Sequence, residues 1–179
     1  EHLAGGVPDR RLDRFPALYE ELLRRELPVP AEATVQLHAF APRFEELCSE
    51  LESAGLPVSL QHDDLHGENV VVSGSGALVL DWGDSCVSHP FLTAFVCFDH
   101  LDLEPDDPWL ARLRDAYLEP WGDPGTLRKT FALALRLGAF AHLFKELHVF
   151  DAIPESQRAE FAPDLHRLVL SCVGAIRCC

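Results

Sequence analysis

His62-Asp63-Asp64-Leu65-His66-Gly67-Glu68-Asn69 runs directly into Val70-Val71-Val72, the turn Ser73-Gly74-Ser75-Gly76, the returning run Ala77-Leu78-Val79-Leu80, and then Asp81-Trp82-Gly83-Asp84. Two short apolar runs joined by Gly and Ser predict a β-hairpin. An antiparallel hairpin brings its two ends together, so Asp64, Asn69 and Asp81 are expected around one point. That grouping has a chemical use. Phosphoryl transfer needs a carboxylate that orients a hydroxyl and accepts its proton, together with the hard oxygen ligands that Mg²⁺ prefers, and these three residues supply oxygens of that kind around one point. Either flank alone is a common loop; both flanks in this order, joined by strand, turn and strand, form a specific pattern.

Outward from the hairpin the sequence is helical. Residues 9–27 carry Leu12, Phe15, Leu18, Tyr19, Leu22 and Leu23 at helical spacing, with Pro16 opening or kinking the helix and Pro28 and Pro30 ending it. A second helix is expected from Ala31 to Phe40. Pro42 suits the first turn of another, which carries Phe44, Leu47, Cys48 and Leu51 on one face and stops at Gly55. Val58-Ser59-Leu60 reads as a short strand. Beyond Asp81, helices are expected at roughly 91–102, 108–118, 126–149 and 164–177. The 126–149 helix is apolar nearly all round, which predicts a buried central helix capped near Asp123-Pro124. His142 and His148 on it read as core or rim histidines, and Trp109 and Trp121 as packing residues. The expected fold class is α+β, mostly helical with a small β-hairpin insert, organised as one domain over residues 1–179.

Composition narrows the function. The chain has 179 residues, 47% apolar and 25% charged, a globular balance. Lys and Arg total 15 against 29 Asp and Glu, for a net charge of −14. That field repels phosphate backbones and anionic lipid, so no nucleic-acid and no membrane partner is expected, whereas a cationic ligand or a metal-escorted phosphate suits it. No apolar stretch reaches membrane-spanning length and no signal peptide is recognisable. The sequence contains no Met, so a piece of a longer polypeptide is expected. Of Cys48, Cys86, Cys97, Cys172, Cys178 and Cys179, none are spaced C-x-x-C, so a reduced, cytoplasmic setting is expected, with Cys178 and Cys179 inert.

The spacing H-x-D-L-x-x-x-N over His62 to Asn69, followed by D-W-G-D over Asp81 to Asp84, has the form of a kinase catalytic loop and metal-binding turn. The second histidine, His66, and the Trp82-Gly83-Asp84 run make it resemble the C-terminal lobe of the aminoglycoside phosphotransferase / choline kinase-like family. The resemblance is specific over residues 58–90 and looser over the flanking helices. It implies a kinase-like fold and ATP- and Mg²⁺-dependent transfer of a phosphoryl group to a hydroxyl of a small molecule, with ATP or another nucleoside triphosphate as donor. Residue by residue, it implies Asp64 as catalytic base, His62 as the residue that stabilises the loop, and Asn69 and Asp81 as Mg²⁺ ligands that thereby hold the nucleotide.

The sequence departs from the family's pattern at three places. Asp63 stands where the family usually has Gly, and no direct role is expected of it. Ser88-His89-Pro90 stands where Gly-Asp-Pro is common, removing an acidic group. No kinase-type glycine-rich loop, no G-x-x-x-x-G-K-[ST] and no Val-Ala-x-Lys strand is present, so a nucleotide-binding lobe is expected to be absent from residues 1–179. Lys129 and Lys145, the only lysines, fall in the helix after the metal turn. Two other readings stay open. One is a non-catalytic kinase-like module; the other is a hydrolase metal site on His62, Asp64 and His66, for which no further ligands stand at a convincing spacing. The acidic run Asp99, Asp102, Glu104, Asp106 and Asp107 is either a solvated face or a seat for a cationic acceptor.

Overall fold

The computed structural model describes residues 2–177 apart from Ser75, Asp102 and Pro105, and leaves the side chain of Arg177 undescribed. The expectations for Ser75, Asp102, Cys178 and Cys179 therefore lie outside the described residues. The fold is α+β and mostly helical. A short 3-10 turn at Leu12–Arg14 leads into α1, Phe15–Leu23. Pro16 sits in the first turn of α1, where a missing N–H is harmless. The helix is shorter than the 9–27 stretch expected from its apolar stripe.

α2 runs unbroken over Ala31–Ser53, so the expected boundary at Pro42 is not there. An interior proline removes one backbone hydrogen bond and costs about 3 kcal/mol. Leu37, Phe40, Phe44, Leu47, Cys48 and Leu51 all lie on one buried stripe that spans the proline. Burying that many apolar side chains, at about 1.5–3 kcal/mol each, outweighs the local penalty.

The β structure is two small antiparallel pairs, not one. β2 (Val70–Ser73) and β3 (Gly76–Val79) form the expected hairpin, with Val70 opposite Val79. β1 (Ser59–Gln61) pairs with β4 (Cys86–Ser88), Gln61 opposite Cys86, and so closes a neck beneath the hairpin. The incoming N-terminal segment lies along the other edge of β4. Arg10 N–H donates to Val87 O at 2.9 Å, Val87 N–H donates to Pro8 O at 2.9 Å, and the Ser88 hydroxyl donates to Arg10 O at 2.6 Å.

The remaining helices are α3 (Ala94–Asp99), α4 (Pro108–Leu118), α5 (Pro124–Ala152) and α6 (Arg158–Arg177). α3 is shorter than 91–102 because residues 90–93 form a turn; α5 and α6 begin earlier than their apolar stripes suggested. Asp107 and Asp123 cap α4 and α5, accepting from Trp109 N–H at 2.8 Å and Thr126 N–H at 2.9 Å, each with proline as the next residue. α5 is the central helix and packs against α1, α2, α3, α4 and α6. Its Phe140 and Phe144 meet Phe15, Tyr19, Phe40 and Phe44 in one aromatic cluster, with the Tyr19 and Phe44 rings stacked at 4.2 Å. Gly138 of α5 is a place where α3 comes too close for a side chain: a Cβ there would lie 2.4 Å from Phe95 Cβ. No helix is long and apolar enough to cross a membrane among the described residues.

Candidate active site

The loop from His62 to Asn69 leaves β1 at the neck and is fixed by its own polar side chains. His62 is buried, and its Nε2 lies 2.6 Å from Leu80 O. A carbonyl can only accept, so Nε2 carries the proton, and the ring ties the start of the loop to the residue before Asp81. The His62 ring also meets Trp82 edge-on, with centroids 4.9 Å apart. From the other side, Leu80 N–H donates to Asn69 O at 2.9 Å. Both ends of the hairpin are thus held to the one residue, Leu80, that precedes the Asp81 turn.

Asn69 carries the next link. Its Nδ2 donates to Asp64 O at 3.0 Å, and also lies 3.3 Å from Asp64 Oδ2 and 3.1 Å from His66 Nε2. The two Asp64 oxygens accept, which places the amide nitrogen on this side and turns Oδ1 away from them. Asp64 is half-buried and is held by Asn69 on one oxygen while the other faces α5. His66 stacks on His100 at 5.2 Å, joining the loop to the end of α3, where Asp99 is exposed.

Asp63 and Asp81 are the non-glycine residues with positive φ among those described, at +62° and +56°. The left-handed region costs an ordinary residue about 1–2 kcal/mol and is most tolerable for Asp and Asn. Such backbone concentrates where a functional arrangement is over-determined by its surroundings. At Asp63 it explains why glycine would suit the position. The Asp63 side chain is nevertheless engaged: it is buried, forms an ion pair with Arg10, and its backbone N–H donates to Thr93 Oγ1 at 3.1 Å. Asp63, of which no direct role is expected, thus anchors the N-terminal segment to the loop. Burial pushes its carboxyl pKa up, and the Arg10 and Lys145 charges pull the other way.

Lys145 belongs to the site although no motif of the sequence contains it. This lysine of α5 points into the cluster with its side chain only 5% exposed. Its Nζ is 2.9 Å from Asp84 Oδ2, 3.0 Å from Glu146 Oε1 and 3.8 Å from Asp64 Oδ1. One sequence signal could have exposed it: a cation inside the apolar run Phe144-Lys145-Glu146-Leu147 of a central helix must be paired if it is buried. His89 explains another departure. Buried, it accepts the Phe91 N–H on Nδ1 at 3.2 Å, so a hydrogen-bond acceptor is kept where an acidic residue was expected. Burial lowers its pKa to about 4.

The oxygens at the two ends of the hairpin are of the kind magnesium takes from a protein. Mg²⁺ takes one or two carboxylates from a protein and fills its shell with phosphate and water oxygens. No three His, Cys, Asp or Glu side chains converge tightly enough to hold a metal alone among the described residues. Asp81 is exposed, and no partner engages its carboxylate among the described residues. With the outward Oδ1 of Asn69, it fits that smaller protein share.

A family model described as the phosphotransferase enzyme family matches residues 2–129. The chain belongs to this family. No curated protein and no solved structure matches it. The matched span of this phosphotransferase takes in the Arg10 segment, the His62–Asn69 loop, the hairpin and the Asp81 turn, and ends just after α5 begins. Lys145, Glu146 and the whole of α6 lie beyond it.

Proposed function

We propose that this phosphotransferase transfers the terminal phosphoryl group of ATP, or another nucleoside triphosphate, to a hydroxyl of a small molecule, with Mg²⁺, and that residues 1–179 form the C-terminal lobe of a kinase-like fold. The observation that supports it is the linkage of Asp64 to Asn69, and of Asn69 through Leu80 to Asp81, which gives a half-buried carboxylate and two oxygen donors on one rigid hairpin. Asp64 orients the acceptor hydroxyl and takes its proton as the new O–P bond forms. His62 holds the loop and the Asp81 turn in mutual register. Asn69 and Asp81 hold the magnesium, which when bound neutralises charge on the donor phosphates. A nucleotide-clamping glycine-rich loop and strand lysine are not found in residues 1–179, so turnover is expected from a longer polypeptide that supplies them.

The acceptor is proposed to be cationic, an amino sugar or amino alcohol. Support comes from the net charge of −14 and from exposed Asp99, next to the His100 ring that stacks on His66 of the loop. A cleft of about 280 Å³ between α5 and α6, lined by Glu146, Asp164, Phe150 and Leu165 among others, adds carboxylates of its own. Asp107 contributes less, since its side chain is committed to capping α4.

The test is phosphorylation of amino sugars, amino alcohols and neutral sugars by the longer polypeptide, with and without Asp64→Asn. Asp64-dependent turnover favouring cationic acceptors, and weakening as salt rises, is the expected result. Turnover indifferent to Asp64, or none at all, would return the chain to a non-catalytic kinase-like module.

A further inference from the structure

Lys145 is flanked in sequence by buried Leu143, Phe144 and Leu147, and its own side chain is buried with them. A buried ammonium must regain from protein oxygens what it loses in hydration. Three elements supply them: Asp64 from the loop, Asp84 from the turn after the hairpin, and Glu146 from α5 itself. Burial works against the lysine's charge, and the Asp84 and Glu146 carboxylates more than reverse this, so its pKa stands above the ordinary lysine value. The ammonium is therefore a permanent occupant.

Without that occupant, the three carboxylates would face one recessed point with nothing between them, and a divalent ion could draw them in around itself. Asp64 is where such an ion would do most harm. A metal on its oxygens would lower its basicity and occupy the lone pairs that must receive the hydroxyl proton. An ammonium already in place repels a second cation at short range and, standing 3.8 Å from Asp64 Oδ1, leaves that oxygen without a hydrogen bond from the lysine.

We propose that Lys145 is a positioning residue that serves as an internal cation, filling the Asp64–Asp84–Glu146 carboxylate pocket so that divalent metal is confined to Asn69 and Asp81 and the base stays metal-free. The proposal rests on the reading of Asp64 as the base, but its test needs no turnover.

The test is binding of Mn²⁺ alone to the 179-residue chain, followed by the paramagnetic resonance signal of the free ion, with folding checked by circular dichroism. Lys145→Met and Lys145→Gln should each gain a Mn²⁺ site at least about tenfold tighter than any in the unsubstituted chain, equivalent to about 1.4 kcal/mol. Adding Asp84→Asn to Lys145→Met should abolish the gained site, adding Asp81→Asn should leave it, and Lys145→Arg, which keeps the cation, should gain none. In the active polypeptide, Lys145→Met should lower kcat, and excess Mg²⁺ should become inhibitory, with Lys145→Arg restoring both. Folded Lys145→Met and Lys145→Gln chains with unchanged Mn²⁺ affinity would overturn the proposal. So would collapse of both variants, which would make Lys145 a partner in folding alone. Failure of the base assignment shows separately, as turnover that survives Asp64→Asn while the Mn²⁺ results stand.

Discussion

Arg10 reaches across 53 positions of sequence to close a buried ion pair with Asp63, the residue immediately before Asp64. The same arginine is held by its backbone to Val87 of β4 and accepts from Ser88, so the contact joins the N-terminal segment, the neck strand and the loop. Removing one member of such a pair strands the other charge.

Arg10→Met should therefore destabilise the chain by about 3–5 kcal/mol at neutral pH. Asp63→Gly should cost less, because glycine accepts the φ of +62° that Asp63 must bear, and it should recover much of the loss when combined with Arg10→Met. Because burial raises the Asp63 pKa in the folded state, the stability linked to its protonation is present below the unfolded value and lost as pH rises through the folded one. Loss of Arg10 raises that folded value further, so the Arg10→Met deficit should be smallest near about pH 4 and grow towards neutrality. Urea denaturation across pH measures this; additive losses in the double variant would contradict it.

His89 titrates in the opposite sense. Buried and neutral, it has a folded pKa of about 4, below the ordinary 6.5. Between those values the unfolded chain binds the extra proton, so stability is complete above pH 6.5 and falls as pH drops towards 4. The total is on the order of 3 kcal/mol. His89→Asn, which keeps an acceptor for the Phe91 N–H, should flatten this acid limb in thermal melts recorded from pH 7 to 4.

Gly138→Ala should destabilise, although alanine is the better helix former by about 1 kcal/mol. The new methyl would collide with Phe95 Cβ and lie 3.0 Å from the Leu92 carbonyl, forcing α3 off α5. Overpacking of this kind costs about 1–3 kcal/mol. Because α3 leads to His100, stacked on His66, kcat of the active polypeptide should fall as well. An unchanged melting temperature would show that the two helices separate freely.

Asp64 and Asp81 should fail differently. Asp64→Ala should lower kcat by about 10²–10⁴ with Mg-nucleotide affinity nearly intact, the contribution of a positioned base. Asp81→Ala should weaken Mg-dependent nucleotide binding as well as turnover. Steady-state kinetics with calorimetric titration of Mg-nucleotide separates the two, and exchanged phenotypes would reverse the assignment.

The residues legible in the sequence were those whose partners lie close along the chain. His62, Asp64, Asn69 and Asp81 fall within one hairpin and its flanks, and α4 and α5 announce themselves by Asp-Pro caps and apolar spacing. Contacts formed at long range were not legible. The pairing of three-residue β1 with β4 has too few side chains for a periodic signal. The continuity of α2 through Pro42 depends on a core that only the packed helices create. Arg10 is a cation whose Asp63 partner lies 53 positions away with nothing local to mark it, and Lys145, marked only by its place in an apolar run, meets Asp84 from 61 positions away.

The β1–β4 neck has a consequence for motion. With Gln61 opposite Cys86, everything from His62 to Ser85 leaves and re-enters the protein through one pair of strands. Inside that excursion, His62, Asn69 and Trp82 bond chiefly to one another's neighbours, at Leu80, Asp64 and Val79. Its amide protons should therefore exchange with solvent as a single cooperative unit, distinct from the slower helices of the aromatic core. A ligand gripping Asp81 would slow exchange at Asp64 by the same factor, so occupancy at one end of the hairpin is registered at the other without any change of shape.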